Sequence, residues 1–170
     1  KVFDKKSTFL AFLEKQIKRV GQYNLKDTYL WNEKALTHKK TGEYTRYKEG
    51  SPDYTEFWRF ERLKCTTGVI INGRYITNHY YFYLNYTPIY NVVEGSQTFA
   101  EIWDSHYHYT LLKALAREKS QYTSVLKKRR WGFSYLECAE LHRQFILEKF
   151  SITRLIHDDE ETNKKNWEII

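Results

Sequence analysis

The chain has 170 residues, a formal net charge of +7 and a hydrophobic fraction of 41%. This length suits one domain or one and a half, and an aromatic content of 18% argues against disorder. No uninterrupted apolar run approaches the roughly 18 residues that a membrane span requires, so we expect no membrane partner. The positive charge favours a polyanionic partner such as DNA or a nucleotide. The alternative is a basic surface that only aids solubility.

The two cysteines, Cys65 and Cys138, are 73 positions apart and have no C-x-x-C spacing. They therefore predict neither a zinc site nor a disulfide framework, and a reducing cytoplasm is the expected compartment. The chain starts at Lys1 and contains no Met. We expect it to be an excerpt of a longer protein.

An apolar stripe near the start predicts an amphipathic helix over residues 7–20. Phe9, Leu13 and Ile17 fall on one face of that helix, lysines fall on the other, and Gly21 closes it. Such a stripe could dock a partner subunit or DNA. Because it more often faces a core, we favour the core.

The next segment, residues 22–64, mixes aromatic residues with charges. Asp53 is expected to cap a helix that runs to about residue 63. Aromatic side chains interleaved with Lys and Arg are one way in which proteins bind single-stranded nucleic acid. A small core with a basic surface has the same composition, and we favour that interpretation.

The middle of the chain contains the clearest turn signal. Asn72-Gly73 stands between β-branched runs and predicts a hairpin with a type I′ turn. Residues 79–86 are almost all aromatic and fit either a helix or a buried strand. Residues 91–98 are expected to form a loop, and residues 99–117 a helix or a strand followed by a helix.

A basic turn lies between a predicted strand and a predicted helix. Residues 124–135 read S-V-L-K-K-R-R-W-G-F-S-Y; the strand covers 122–126, and the helix runs from Ser134 to about residue 150. This order is typical of a phosphate-binding loop. A glycine such as Gly132 lets the backbone approach phosphate oxygens. The unpaired N–H groups of a helix start point outward, and a hydroxyl can ligate Mg²⁺.

The match to the pattern G-x-x-x-x-G-K-[ST] is incomplete. Gly132 and Ser134 fit the pattern. Phe133 stands where the lysine belongs, and Lys127 stands where the first glycine belongs. The alternative interpretation is a basic helix start that contacts solvent or nucleic-acid phosphate.

The run K-K-R-R-W-G-F-S-Y resembles the deviant Walker A loop of the large terminase subunit of tailed bacteriophages, an ATP-driven motor that packs DNA into a preformed capsid. In part of that family the lysine moves to the start of the loop, an arginine stands before the glycine, and an aromatic residue takes the vacated position. Lys127, Arg130 and Phe133 are placed in this way. Arg129 matches the arginine that other members keep three residues before the glycine. The resemblance covers about residues 68–150.

This resemblance implies that the protein uses ATP and Mg²⁺. Lys127 would be the phosphate lysine, and Arg129 and Arg130 would neutralise charge during phosphoryl transfer. Ser134 would ligate Mg²⁺ or cap the following helix, and the two roles are compatible. The other residues implied in nucleotide binding around the loop are Gly132, Phe133 and Tyr135.

A second element of the family, aromatic-Asp-x-Gln, precedes the loop, and its glutamine reads the adenine edge. Trp103 and Asp104 match this element, and His106, 26 positions before Gly132, stands in place of the glutamine. The resemblance implies that these three residues bind the base. It leaves adenine specificity open, because histidine can donate or accept one hydrogen bond. The alternative is a helix start that Trp103 packs and Asp104 caps.

The expected fold class is α/β: the start of a P-loop NTPase parallel sheet, preceded by a mixed α+β lead region. A second short strand is predicted at 151–156, so that the helix before it becomes a crossover. Residues 155–160 imitate a Walker B strand, but polar residues interrupt the apolar run. By resemblance, the Walker B carboxylates and a nuclease domain are expected outside this chain.

The expected organisation has three parts. Residues 1–64 form an N-terminal helical and aromatic region, 65–120 a hairpin and adenine-side region, and 121–170 the truncated first part of the ATPase domain. By resemblance, the complete protein would hydrolyse ATP to translocate double-stranded DNA, with the portal and the small terminase subunit as partners. It would act as a homo-oligomeric ring in the cytoplasm of the infected host cell.

The alternative function is not enzymatic. A basic, aromatic-rich nucleic-acid-binding module would use the K-K-R-R run to contact the phosphate backbone. Even under the ATPase interpretation, we expect the chain alone to be inactive, because it would lack the Walker B carboxylates.

Overall fold

In a computed structural model of the chain, the described residues are 6–21, 25–91, 94–127, 131–149 and 151. This part of the chain combines α-helices with two small antiparallel sheets, each a β-hairpin. The elements in chain order are α1 (Lys6–Ile17), a 3-10 helix (Leu25–Leu30), α2 (Glu33–Thr41), α3 (Pro52–Thr67), β1 (Val69–Ile71), β2 (Arg74–Ile76), α4 (Asn78–Tyr86), β3 (Pro88–Asn91), β4 (Ser96–Phe99), α5 (Asp104–Glu118) and α6 (Phe133–Leu147).

Helix α4 forms the centre of the fold. It contacts α2, α3, α5 and α6, and every residue from His79 to Asn85 is buried. Thr77 caps its first turn, because the Thr77 hydroxyl oxygen accepts a hydrogen bond from the Tyr80 N–H at 3.2 Å. All faces of the helix are covered, so its sequence has no amphipathic period, and the same residues fitted a buried strand equally well.

The predicted first helix is confirmed as α1. Leu13 is fully buried, and the rings of Phe9 and Phe12 lie edge-on to Tyr75 at 5.7 and 5.9 Å. The apolar stripe of this helix therefore faces the core, where β2 and α5 lie against it.

The predicted helix near Asp53 is also confirmed, but it begins earlier and ends later. Ser51, not Asp53, is the cap, because its Oγ accepts a hydrogen bond from the Tyr54 N–H at 3.2 Å. Pro52 then occupies the first helical position, where its missing N–H costs nothing. Asp53 remains in the first turn, where a negative charge suits the helix dipole.

The predicted hairpin is confirmed. β1 and β2 pair antiparallel, with Ile71 opposite Arg74. Between them Asn72 and Gly73 have φ values of +49° and +72°, which is the positive pair that a type I′ turn requires.

The loop expected at 91–98 is wrong in part, because a second hairpin occupies this stretch. β3 and β4 pair from Pro88 opposite Phe99 to Asn91 opposite Ser96. Three of the four side chains of β4 are polar, and two of them are exposed. They therefore lack the apolar alternation by which a strand is recognised in a sequence.

The strand predicted at 122–126 is wrong. Residues 121–127 have no regular secondary structure, and Tyr122 and Leu126 are fully exposed. A strand needs a neighbour for its backbone hydrogen bonds, and no parallel strand pair occurs in the described part of the chain. Of the second predicted strand, Ser151 has no regular structure, and 152–156 lie outside the described residues.

A buried ion pair ties α6 to α3. Arg143 is fully buried, and its Nε and Nη2 donate hydrogen bonds to Glu140 at 2.7 and 3.0 Å. Its Nη1 donates to the carbonyl oxygen of Cys65 on α3 at 3.1 Å. Burial raises the pKa of Glu140, but the hydrogen bonds from Arg143 and the positive charges around the carboxylate together outweigh burial and hold that pKa at about 2. The pair therefore stays ionised and fixes α6 in the fold.

Candidate functional site

A pocket of about 490 Å³ lies where α2 and the β3–β4 hairpin face the N-terminal ends of α5 and α6. This volume falls within the roughly 300–1,000 Å³ that is typical of small-molecule sites. Its aromatic lining comes from Tyr83, Tyr90, Phe99, Trp103 and Tyr135. Planar side chains in this number suit a flat, apolar ligand.

Trp103 stands at the N-terminal end of α5, with 41% of its surface exposed. Tyr80 fixes its backbone: the Trp103 N–H donates to Tyr80 Oη at 3.2 Å, and that hydroxyl donates to the Trp103 carbonyl at 3.3 Å. The indole lies 5.1 Å from the His106 ring at an angle of 32°. Its exposed area leaves room for stacking against a planar ligand.

Asp104 does not cap α5, although the sequence allowed that role. Trp103 occupies the cap position, and its side chain makes no cap hydrogen bond. Asp104 is the first residue of the helix and is exposed. Asp104 does not line the pocket, so the structure does not place it where the predicted contact with a base would form.

His106 is buried, with 3% of its surface exposed. Its Nε2 lies 2.7 Å from the carbonyl oxygen of Trp131. A carbonyl oxygen can only accept, so Nε2 carries the proton and Nδ1 is left as an acceptor. Burial lowers the pKa of His106, which favours this neutral form. Nδ1 is buried and has no hydrogen-bond partner among the described residues.

Two buried histidines hold the start of α6. His106 is bonded to the carbonyl of Trp131, just before the helix, and His79 Nε2 is bonded to the carbonyl of Leu136 at 2.7 Å. They come from α5 and α4 respectively. The backbone around Gly132 is therefore positioned by side chains from two other helices.

The backbone conformation of Gly132 favours glycine. Its φ is +70°, in the left-handed region that other residues avoid. A Cβ at this position would lie 3.4 Å from His106 Cε1, which is an ordinary van der Waals contact. The positive φ at the start of α6, and not the space beside His106, therefore favours glycine here.

Lys127 lies close to the start of α6. Its Nζ is 5.8 Å from the centroid of the Phe133 ring, a cation–π distance. Phe133 in turn stacks on Trp131 at 5.6 Å with an angle of 11°. Lys127 and Phe133, which stand at the positions of the first glycine and of the lysine in the loop pattern, are thus neighbours in space.

The N-terminal end of α6 has no cap from its own cap residue. Gly132 occupies the cap position, and a glycine has no side chain that could accept a hydrogen bond from the first turn. Ser134 lies in the first turn and is exposed, so its hydroxyl can reach a ligand or an ion. Helix starts attract anions through their N–H groups and the helix dipole.

The pocket brings together four residues from two predicted elements. Trp103 and His106 come from the predicted base-side element, and Gly132 and Tyr135 come from the predicted phosphate loop. Phe133 and Ser134 lie beside them at the start of α6 but do not line the pocket. Arg129 and Arg130, predicted to neutralise phosphate charge, lie outside the described residues.

Two residues of the site were not singled out in the sequence. Trp131 supplies the carbonyl that fixes the His106 tautomer, and its indole Nε1 donates to Ser105 Oγ at 2.8 Å. Asn32, which precedes α2, also lines the pocket. The only signal for Asn32 was its position before a helix, which indicates a cap rather than a ligand-binding residue.

No protein-family model, curated protein or solved structure matches this chain. Within the residues that the structure describes, none of the helices combines the length and the apolar character that a membrane span needs.

Proposed function

We propose that the chain is the N-terminal ATPase portion of a large terminase subunit, which binds ATP to drive the packaging of double-stranded DNA. One observation carries this proposal. His106 and Gly132 are 26 positions apart in the sequence, yet they line the same pocket. In the proposed function they belong to the base-side and the phosphate-side elements of one nucleotide site, which have to be adjacent.

The lining of the pocket supports a nucleotide base as its occupant. The exposed indole of Trp103 offers a stacking face, and Tyr135 and Tyr83 add aromatic walls. His106 offers an acceptor, because Nε2 holds the proton. Adenine carries an amino group that can donate to such an acceptor.

The start of α6 suits the phosphates in this proposal. Its uncapped N–H groups attract negative charge, and Lys127 lies near the same turn through its contact with Phe133. Arg129 and Arg130 would add charge neutralisation as the phosphoryl group is transferred. The exposed hydroxyl of Ser134 fits one ligand position of Mg²⁺, which would neutralise the phosphates.

The finer fold is part of this proposal. The helix that follows the loop would pack on a parallel sheet of a P-loop ATPase in the complete protein. Tyr122 and Leu126 are fully exposed, which supports a covering partner in the complete protein. The net charge of +7 suits DNA as the transported polyanion. The proposal also includes the portal and the small terminase subunit as partners. The complete protein would form a homo-oligomeric ring in the cytoplasm of the host cell.

Substitution of Lys127 tests the proposed ATPase. In the complete protein, Lys127→Ala should abolish ATP hydrolysis, because Phe133 has no charge with which to hold phosphate. Lys128→Ala is the matched control and should leave most of the activity. Equal, mild effects of the two changes would refute the role of Lys127. Salt-sensitive DNA binding without any ATP binding would instead favour the basic nucleic-acid-binding module.

A further inference from the structure

Asn32 has the side chain of a helix cap but does not act as one. Its side chain makes no cap hydrogen bond to α2. Asn85 of α4 takes over that role: its Oδ1 accepts hydrogen bonds from the N–H groups of Lys34 and Ala35 at 3.0 and 3.4 Å. The first turn of α2 is therefore satisfied from outside, and the Asn32 side chain is released for another function.

The released oxygen is left without a partner. Asn32 Oδ1 is buried, and no described residue donates a hydrogen bond to it. His106 Nδ1 is in the same situation, since Nε2 carries the proton. Both residues line the 490 Å³ pocket. Buried acceptors without donors cost free energy, so a ligand that brings donors would recover it.

Two acceptors in an aromatic pocket define the chemistry of that ligand. A carbonyl or carboxylate would face like partial charges, whereas an amino group carries two hydrogens and can donate to both acceptors. The walls formed by Tyr83, Trp103 and Tyr135 favour a planar ring. The matching group is an exocyclic amino group on a heterocycle, as in adenine and not in hypoxanthine.

Access to the acceptors involves Trp103. The Trp103 indole lies 5.1 Å from the His106 ring and is 41% exposed. An exposed indole can move aside as a base enters and then stack on it. Both acceptor atoms are buried in the free protein. Water therefore does not compete with a ligand for hydrogen bonds to them.

From these contacts we propose that Asn32, from the first helical region of the chain, is a specificity-determining residue that recognises the amino group of adenine together with His106. This inference rests on the proposed nucleotide site. It adds a residue from outside both predicted elements and gives the site a preference for amino-bearing bases over bases with a carbonyl at the same position.

Binding of ATP and of inosine triphosphate to the complete protein, measured by calorimetry, tests this inference. The wild type should bind ATP more tightly. Asn32→Ala should reduce the ratio of the two affinities by about three- to tenfold, as expected for the loss of one hydrogen bond. Asn32→Asp keeps an acceptor at the same position and should preserve the ratio of the two affinities, even if its charge weakens the binding of both nucleotides. Thermal unfolding of both variants confirms that they are folded.

Each outcome decides a different question. Equal binding of the two nucleotides by the wild type would overturn the inference and leave the proposed ATP site intact. An Asn32→Ala ratio equal to that of the wild type would also overturn it. Failure of the wild type to bind either nucleotide would contradict the proposed function, and this inference with it.

Discussion

Removing the charge of Glu140 should make the stability of the fold less dependent on pH. The pKa of Glu140 is about 2, compared with an ordinary value of 4.5. One pKa unit corresponds to about 1.4 kcal/mol, so the shift amounts to about 3 kcal/mol of stability at neutral pH. The folded-state pKa is the lower one, so this contribution is present above about pH 5 and is lost as the pH falls toward 2. About 2 kcal/mol of it is lost by about pH 3.

Urea unfolding of the wild type and of Glu140→Gln at about pH 6 and about pH 3 measures this contribution. At the higher pH the variant should be less stable by roughly 3–5 kcal/mol, because Arg143 is left buried with less compensation. At the lower pH the difference between the two proteins should shrink by about 2 kcal/mol. Glu14→Gln is the control, since Glu14 pairs with Lys119 at the surface and should change stability little.

A difference between wild type and Glu140→Gln that stays constant over this pH range would refute the reasoning. It would mean that Glu140 has the same pKa in the folded and in the unfolded protein, so that its charged form is not stabilised by folding. The charged pair with Arg143 could then not be what holds α6 against α3.

Two further predictions concern the loop and the chain as a catalyst. Gly132→Ala should lower the free energy of unfolding by about 1–2 kcal/mol, as should the control Gly50→Ala, because both glycines have positive φ. Only Gly132→Ala should also weaken nucleotide binding in calorimetry, since Gly132 lines the pocket and its strained backbone would disturb that lining; equal binding by both variants would contradict this. Residues 1–170 alone should show no ATP turnover above background in a phosphate-release assay. Robust turnover that is lost on Lys127→Ala would place the missing carboxylates within the chain, with Asp158 and Asp159 as the first to test.

Local features of the fold were predictable from the sequence. Asn72-Gly73 specified a type I′ turn because few other residues tolerate two successive positive φ angles. The stripe through Phe9 and Leu13 specified α1 because one face of that helix is buried and the other is wet. Both signals are contained in a few neighbouring residues and need no knowledge of the rest of the chain.

Features that depend on distant partners were not predictable. The segment 122–126 has the composition of a strand, but a strand forms only where another can pair with it. Strand β4, Ser96 to Phe99, lacks apolar alternation. It forms because β3 pairs with it. In both cases the neighbour, and not the segment itself, decided the structure.

The candidate site shows the same division. Trp103, His106, Gly132 and Tyr135 were selected through resemblance, and the pocket brings these four together. Asn32 was missed because its role depends on Asn85, a residue 53 positions away that caps α2 in its place. No local sequence pattern shows that a distant asparagine caps α2 in place of the residue at its own N-terminus.

The most direct test of the proposed nucleotide site is the response of the tryptophan indole N–H signals of the ¹⁵N-labelled chain to Mg²⁺ and ATP. Trp103 lines the pocket and Trp131 lies against His106, whereas Trp58 packs against Tyr44 and Phe57 and does not line the pocket. The account predicts that the Trp103 and Trp131 signals shift with added nucleotide while the Trp58 signal stays in place. Unchanged Trp103 and Trp131 signals at saturating nucleotide would contradict it.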